Sequence, residues 1–163
     1  MKKIKPFVLF ILLTCLALPF GCKKNEDSQP DKTVLLAGTT SKKWKLTAAT
    51  ATVGINIDIY NTYLPPCKQD DIFTFSTDNK YETTEGGTSC SPATTDKGTW
   101  TFNGDKTQLT LTSMGGAALP YSGVPLTINF VGNTMQGEAS NVPISYLGTS
   151  LTATTVSFTF TAQ

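Results

Sequence analysis

Beyond residue 43 the chain sets an apolar side chain at every second position, with threonine or another polar residue between. Val156, Phe158 and Phe160 alternate with Thr155, Ser157 and Thr159, and Val124, Leu126, Ile128 and Phe130 share one face. Phe73 and Phe75, Trp100 and Phe102, and Leu109 and Leu111 repeat the pattern. Successive side chains of a strand point to opposite faces, so this period describes strands with one buried and one wetted side. Threonine is β-branched and suits the half-exposed face of a sheet. An all-β domain is therefore expected.

Turn residues divide the chain into short strands. Thr33 to Gly38 reads as one helical turn ended by the glycine, its apolar residues plugging one end of the domain. The first strand runs from about Lys43 to Thr52, with Trp44, Leu46 and Ala48 on one face. Gly54 to Leu64 fits either a strand (Ile55, Ile57, Ile59) or a helical turn before Pro65-Pro66. Asp71–Ser76 and Lys80–Glu85 form a hairpin around Thr77-Asp78-Asn79, because Asp and Asn tolerate left-handed geometry. Paired residue numbers then sum to 156, which sets Phe75 opposite Tyr81 and Phe73 opposite Thr83. Lys97–Phe102 and Thr107–Ser113 flank Asn103-Gly104-Asp105-Lys106, and a four-residue loop places Trp100 against Leu109. Met114 to Gly123 is a loop. Val124–Val131 turns at Gly132-Asn133 into Thr134–Ala139. Asn141 to Ser150 carries a proline and a glycine and reads as partly strand, and Leu151–Thr161 closes the chain.

Cys67 and Cys90 sum to 157, almost in register with the Asp71–Glu85 hairpin. One bulged residue near Gly86-Gly87 would bring them opposite each other, so a Cys67–Cys90 disulfide is expected as an extension of that ladder. Successive hairpins suggest an up-and-down antiparallel arrangement. Pairing of the last strand with the first would remove exposed edges, giving an eight-stranded barrel whose interior holds side chains or one small ligand. A two-sheet β-sandwich is the alternative.

The chain opens with a different composition. Lys2, Lys3 and Lys5 precede an apolar run from Phe7 to Leu18, about a dozen residues against the roughly 20 that a spanning helix needs. Residues 1–21 read as a secretory signal. Leu18-Pro19-Phe20-Gly21-Cys22 resembles the lipobox of bacterial lipoproteins, which implies cleavage before Cys22 and acylation of that residue. An ordinary cleaved signal with Cys22 as a spare thiol is the other reading. Residues 22–32, with Lys23-Lys24-Asn25-Glu26-Asp27, form a tether without apolar side chains, and 33–163 the barrel domain. The implied location is the cell envelope, lipid-anchored at the outer membrane and facing the periplasm or the surface. Two or three acyl chains hold a protein to a membrane where one is marginal. An exported chain also permits the disulfide.

Catalytic chemistry finds little support. The sequence has no histidine, the commonest general base and zinc ligand. No nucleophile motif of the Gly-x-Ser-x-Gly kind occurs. Asp70-Asp71 is the one adjacent carboxylate pair within residues 33–163, and adjacent strand residues diverge. A calcium site there competes with ordinary hydrogen bonding of a strand start. No catalytic residue, metal or cofactor is expected. Without the leader, ten lysines face twelve carboxylates, and no basic patch exists to attract nucleic acid.

Several segments together resemble a known family. Leu35-Leu36-Ala37-Gly38, Trp44-Lys45-Leu46, Asp58-Ile59-Tyr60 and Leu64-Pro65-Pro66-Cys67 come first. Asp70-Asp71-Ile72-Phe73-Thr74-Phe75, Tyr81, Cys90 and Gly98-Thr99-Trp100 follow. In this order they look like the lipocalin-like domain of bacterial lipoproteins, over about Leu35 to Leu111. The resemblance implies an eight-stranded barrel on a lipid anchor. On this expectation Trp44, Phe73, Phe75, Tyr81, Trp100, Phe102, Phe158 and Phe160 line an inner wall for a small hydrophobic ligand. The same residues would also serve a filled barrel. The protein would then be a non-enzymatic surface module docking another envelope protein or a glycan, with Leu119 and Tyr121 of the Met114–Gly123 loop as the contact. The sequence identifies no protein partner.

Overall fold

The computed structural model describes residues 30–116, 122–146 and 148–163. The leader, Cys22 and most of the tether lie outside the described residues, as do Leu119 and Tyr121.

Alternating residues build nine antiparallel strands among the described residues: β1 (Ser41–Thr52), β2 (Asn56–Asp58), β3 (Ile72–Ser76), β4 (Lys80–Thr84), β5 (Asp96–Phe102), β6 (Gln108–Gly116), β7 (Pro125–Val131), β8 (Thr134–Tyr146) and β9 (Thr149–Ala162). Three short helices join them: α1 (Lys32–Ala37), α2 (Ile59–Thr62) and α3 (Pro66–Gln69). From β3 to β9 each strand pairs with the next, and β9 returns to β1. Eight strands thus close into a barrel. The ninth, β2, lies on the later half of β1 with Thr50 opposite Asp58, while the earlier half, Ser41–Lys45, pairs with β3. The ambiguous stretch before Pro65 therefore holds both a strand and a helical turn.

One end of the barrel is shut. Asp31 caps α1 by accepting the Thr33 amide at 2.7 Å and pairs with Lys106 Nζ at 2.7 Å, which ties the helix to the β5–β6 turn. Lys106 holds the Asp31 carboxyl down at about 2, with the Thr33 hydrogen bonds adding to the effect. Leu36 and Ala37 are fully buried beneath this turn. Trp44 donates its indole N–H to the Leu36 carbonyl at 2.8 Å, and Trp100 donates to Ser76 and Lys80 carbonyls at 3.1 Å. Each indole thus buries its ring and still satisfies its one donor. The opposite end carries α2, α3, the β4–β5 loop and the Tyr146/Thr149 pair of the β8–β9 hairpin.

The β3–β4 ladder follows the expected sum of 156, with Phe75 opposite Tyr81 and Phe73 opposite Thr83, and Asn79 takes a positive φ of 64° in the turn. Three other expectations are corrected. Trp100 faces Leu111, and Phe102 faces Leu109, because the β5–β6 loop is two residues longer than four. Asn103 organises it: its amide donates to the Gln108 carbonyl at 3.0 Å, and its side-chain oxygen accepts the Gln108 amide at 2.8 Å. A shift of two leaves every side chain on its face. In β1 the register slips between Leu46 and Ala48, so Ala48 is exposed while Ala49 and Ala51 are buried. A bulge adds one residue and reverses the alternation after it.

The third correction concerns the disulfide. Cys67 and Cys90 are joined, with Cα atoms 5.2 Å apart. They do not extend the β3–β4 ladder, which stops at Ile72 and Thr84. Cys67 lies in α3 and Cys90 in the β4–β5 loop. Gly86 packs onto Asp70, where a Cβ would sit on the Asp70 carbonyl. Strand β8 also runs further than Ala139, reaching Tyr146 and pairing Val142 with Ala153 and Ile144 with Leu151. This outer part of the hairpin still joins the core, since Val142 and Ala153 are buried.

Candidate functional site

Residues directly opposite each other in a ladder share a face, so register traces the inner wall strand by strand. Trp44 lies opposite Phe73, Phe73 opposite Thr83 and Thr83 opposite Asp96. Further round, Phe102, Leu109 and Leu126 are in line. Phe130, Met135, Phe160 and Leu46 then close the circuit back to β1. All eight aromatic residues expected on the inner wall fall on this face.

They divide by burial. Trp44, Phe75, Tyr81, Trp100 and Phe158 are buried. Phe75 meets Tyr81 at a ring separation of 6.3 Å and Trp100 at 6.5 Å, and Trp100 meets Phe102 at 5.5 Å. Together with Trp44, which meets Phe130 at 6.0 Å, they fill the shut end. Phe73, Phe102 and Phe160 are only half-buried. Phe73 and Phe160 meet edge to face at 5.3 Å although β1 lies between their strands. Lys42 also lies at the shut end: its ammonium is 4.3 Å from the Trp44 ring centroid and donates to the Leu35 carbonyl at 3.1 Å. Partial burial lowers its pKa.

Towards the other end the same face turns polar. Asp96 is 3 % exposed and accepts the Tyr81 hydroxyl on Oδ2 and the Ser113 hydroxyl on Oδ1, both at 2.7 Å. Thr83 Oγ1 accepts the Asp96 amide at 2.7 Å and donates to the Asp96 carbonyl at 3.2 Å. Burial, and then the Asp96 carboxylate, push the Tyr81 phenol upward, so it stays a proton donor. Gly98 is required beside it, because a Cβ there would sit on the Thr112 carbonyl and 2.8 Å from the Tyr81 ring. Asp96, Thr83 and Ser113 were not among the expected site residues. Asp96 precedes Gly98 and Trp100 at the same period of two, which marks it as inward-facing in the sequence.

Asp71 lies two residues before Phe73 and is 8 % exposed. Continuing the two ladders by one step sets it opposite Leu46 and Glu85. Burial raises its pKa to about 6, aided by the carboxylates of Asp70 and Glu85 and opposed by Lys68. Its Oδ1 has no hydrogen-bond partner, nor do the buried Asp70 Oδ1 and Thr94 Oγ1. Asp70 Oδ2 accepts the Thr88 amide at 2.8 Å, and Glu85 Oε1 accepts the amides of Cys90 at 3.1 Å and Thr94 at 2.9 Å. Among the described residues no three acidic or cysteine side chains form a metal-holding group. The outer wall carries a separate groove of about 320 Å³ over β7, β8 and β9, lined by Thr127, Asn129, Gln136, Glu138, Ser157 and Thr159 among others.

The family described as a lipocalin-like domain matches residues 40–137. No curated protein matches the chain. Among solved structures, a DUF4847 family protein from Bacteroides vulgatus aligns over 80 % of this chain and 95 % of its own, with 11 % identity and a TM-score of 0.48.

Proposed function

Because the chain belongs to the lipocalin-like domain family, we propose that it is a membrane-anchored envelope lipoprotein whose barrel holds a small hydrophobic ligand. The observation that carries this reading is the state of Phe73 and Phe160, which face inward by register and remain half-buried. They stand level with Trp44 and Leu46 in the ladders and would supply the apolar wall that a ligand pocket requires. The opposite end is the one that a ligand would pass, since α1 blocks the floor. The role is carriage or sensing, and no step of it asks for a catalytic group.

Titration with an environment-sensitive apolar dye tests the barrel. Uptake of one dye per chain, with transfer from the tryptophans and displacement by fatty alcohols, is expected. A protein that takes up no dye would be a filled barrel.

The anchor is Cys22, acylated after removal of residues 1–21, with residues 22–32 as tether and the outer membrane as destination. Cys22→Ser should move the protein out of the membrane fraction and abolish labelling by a fatty-acid precursor. Unchanged membrane association would refute the anchor without touching the barrel.

The outer groove supports a second reading, docking of a glycan. It presents amide and hydroxyl groups from Asn129, Gln136, Ser157 and Thr159 beside the single carboxylate of Glu138. Binding of a neutral polysaccharide that is lost in Gln136→Ala, with dye uptake intact, would favour it.

A further inference from the structure

At and beside the polar end of the inner face lie buried oxygens without partners, of which that of Asp71 is on the inner face by register. Three buried oxygens are unpartnered, Asp70 Oδ1, Asp71 Oδ1 and Thr94 Oγ1, and all belong to the segments that meet there. Thr94 is tied to this cluster through its amide bond to Glu85, and Glu85 and Asp70 both act on Asp71. Asp71 is the innermost of them, more than nine-tenths buried and on the face that continues to Phe73. Buried polar atoms in folded proteins are almost always satisfied, so the open Asp71 acceptor on the inner face points to a donor that binds there. The neighbouring Asp96 differs. Both its oxygens are already occupied by Tyr81 and Ser113. Among the described residues, no lysine forms an ion pair with Asp71 or Asp96; Lys80 and Lys106 pair with Asp78 and Asp31. Lys68 influences Asp71 from the α3 side, and Lys42 lies at the floor.

Resting on the reading of the barrel as a ligand cup, we propose that its ligand carries a cationic amine head on an apolar body, with the head against Asp71 and the body along Phe73 and Phe160. An ammonium supplies three donors and a positive charge, which matches open acceptors beside clustered carboxylates. A carboxylate head would bring a fourth negative group to Asp70, Asp71 and Glu85. A metal ion is the weaker fit, because no three acidic side chains form a metal-holding group among the described residues.

The test is a head-group series on the whole chain: decylamine, decanol and decanoate, each titrated at pH 7.5 below its aggregation limit and read by displacement of a bound dye. Decylamine should bind at least about ten-fold more tightly than decanol, and decanoate more weakly than either. In Asp71→Asn the amine should fall to the level of the alcohol, with a loss for decanol several-fold smaller than the loss for decylamine. Equal binding of all three ligands would overturn the amine head and leave the cup standing. Binding of none would overturn the cup, and the head with it. Displacement of decylamine by millimolar calcium, together with a rise in melting temperature, would also overturn the proposal, assigning the acceptors to a metal ion.

Discussion

Tyr81 donates its phenolic hydrogen to Asp96 Oδ2 at 2.7 Å across the inner face of the barrel, joining β4 to the start of β5. The bond makes a buried carboxylate tolerable. Ser113 covers the other oxygen from β6, so three strands meet on one side chain. Gly98 leaves room for the Tyr81 ring, and Thr83 holds the Asp96 backbone.

Tyr81→Phe should therefore destabilise the fold out of proportion to one lost hydroxyl. Hydrogen bonds to charged groups are worth roughly 1.5–3 kcal/mol, and a buried acceptor left open adds to the loss. Urea unfolding of the variant should show a lower midpoint with the same slope. In the background of Asp96→Asn the same change should cost markedly less. Equal losses in the two backgrounds would mean that the hydroxyl acts elsewhere.

Asp71 makes a prediction about pH. Its carboxyl sits at about 6 in the folded protein, against an ordinary 3.8, because of burial first and then Asp70 and Glu85. An acid whose pKa is raised by folding binds more protons folded than unfolded, so its contribution to stability falls as pH rises through that window. Above the window the ionised group costs at most roughly 3 kcal/mol, and below pH 3.8 it costs nothing. Asp71→Asn should accordingly be more stable than the parent at pH 7, by about 1–3 kcal/mol, and no more stable near pH 3.5. A difference that does not change with pH would contradict the assignment.

Cys67 and Cys90, 23 residues apart, clasp α3 to the β4–β5 loop beside these carboxylates. On the chain-entropy estimate the link is worth roughly 3 kcal/mol. Replacement of both by serine should lower the melting temperature by roughly 6–12 °C, at about 2–4 °C per kcal/mol for a chain of this size. It should also loosen amide-exchange protection in residues 85–95 before it affects β8 and β9. Uniform loss of protection through the barrel would show that the clasp supports the whole fold.

What could be read from the sequence follows from how a strand alternates. Phe75 and Tyr81 were paired correctly because a three-residue turn with Asn at its left-handed position leaves one register. The return of β9 to β1 followed from the need to remove edges. The β5–β6 register was two residues off, since the hydrogen bonds of Asn103 that lengthen the loop have no distinct composition. That error cost nothing in facing, whereas the bulge after Leu46 did, and turned Ala48 outward. The polar end of the site was legible in part. Asp96 shares the period of Gly98 and Trp100, but an acid at a core position reads as a break in the pattern until Tyr81 and Ser113 are seen to meet it. Asp70 and Asp71 were expected to diverge. Only Asp71 is on the inner face by register, while the Asp70 carboxylate turns to the Thr88 amide.

The proposed cup differs from a filled barrel in what the protein carries with it on purification. Native mass spectrometry of the protein, released gently from the membranes of the cells that make it, tests this most directly. The account predicts one bound amphiphile per chain, an amine-bearing apolar molecule that appears in an organic extract and leaves when the protein is unfolded. A bare polypeptide mass, with no molecule in the extract and no uptake of added decylamine or decanol, would contradict it.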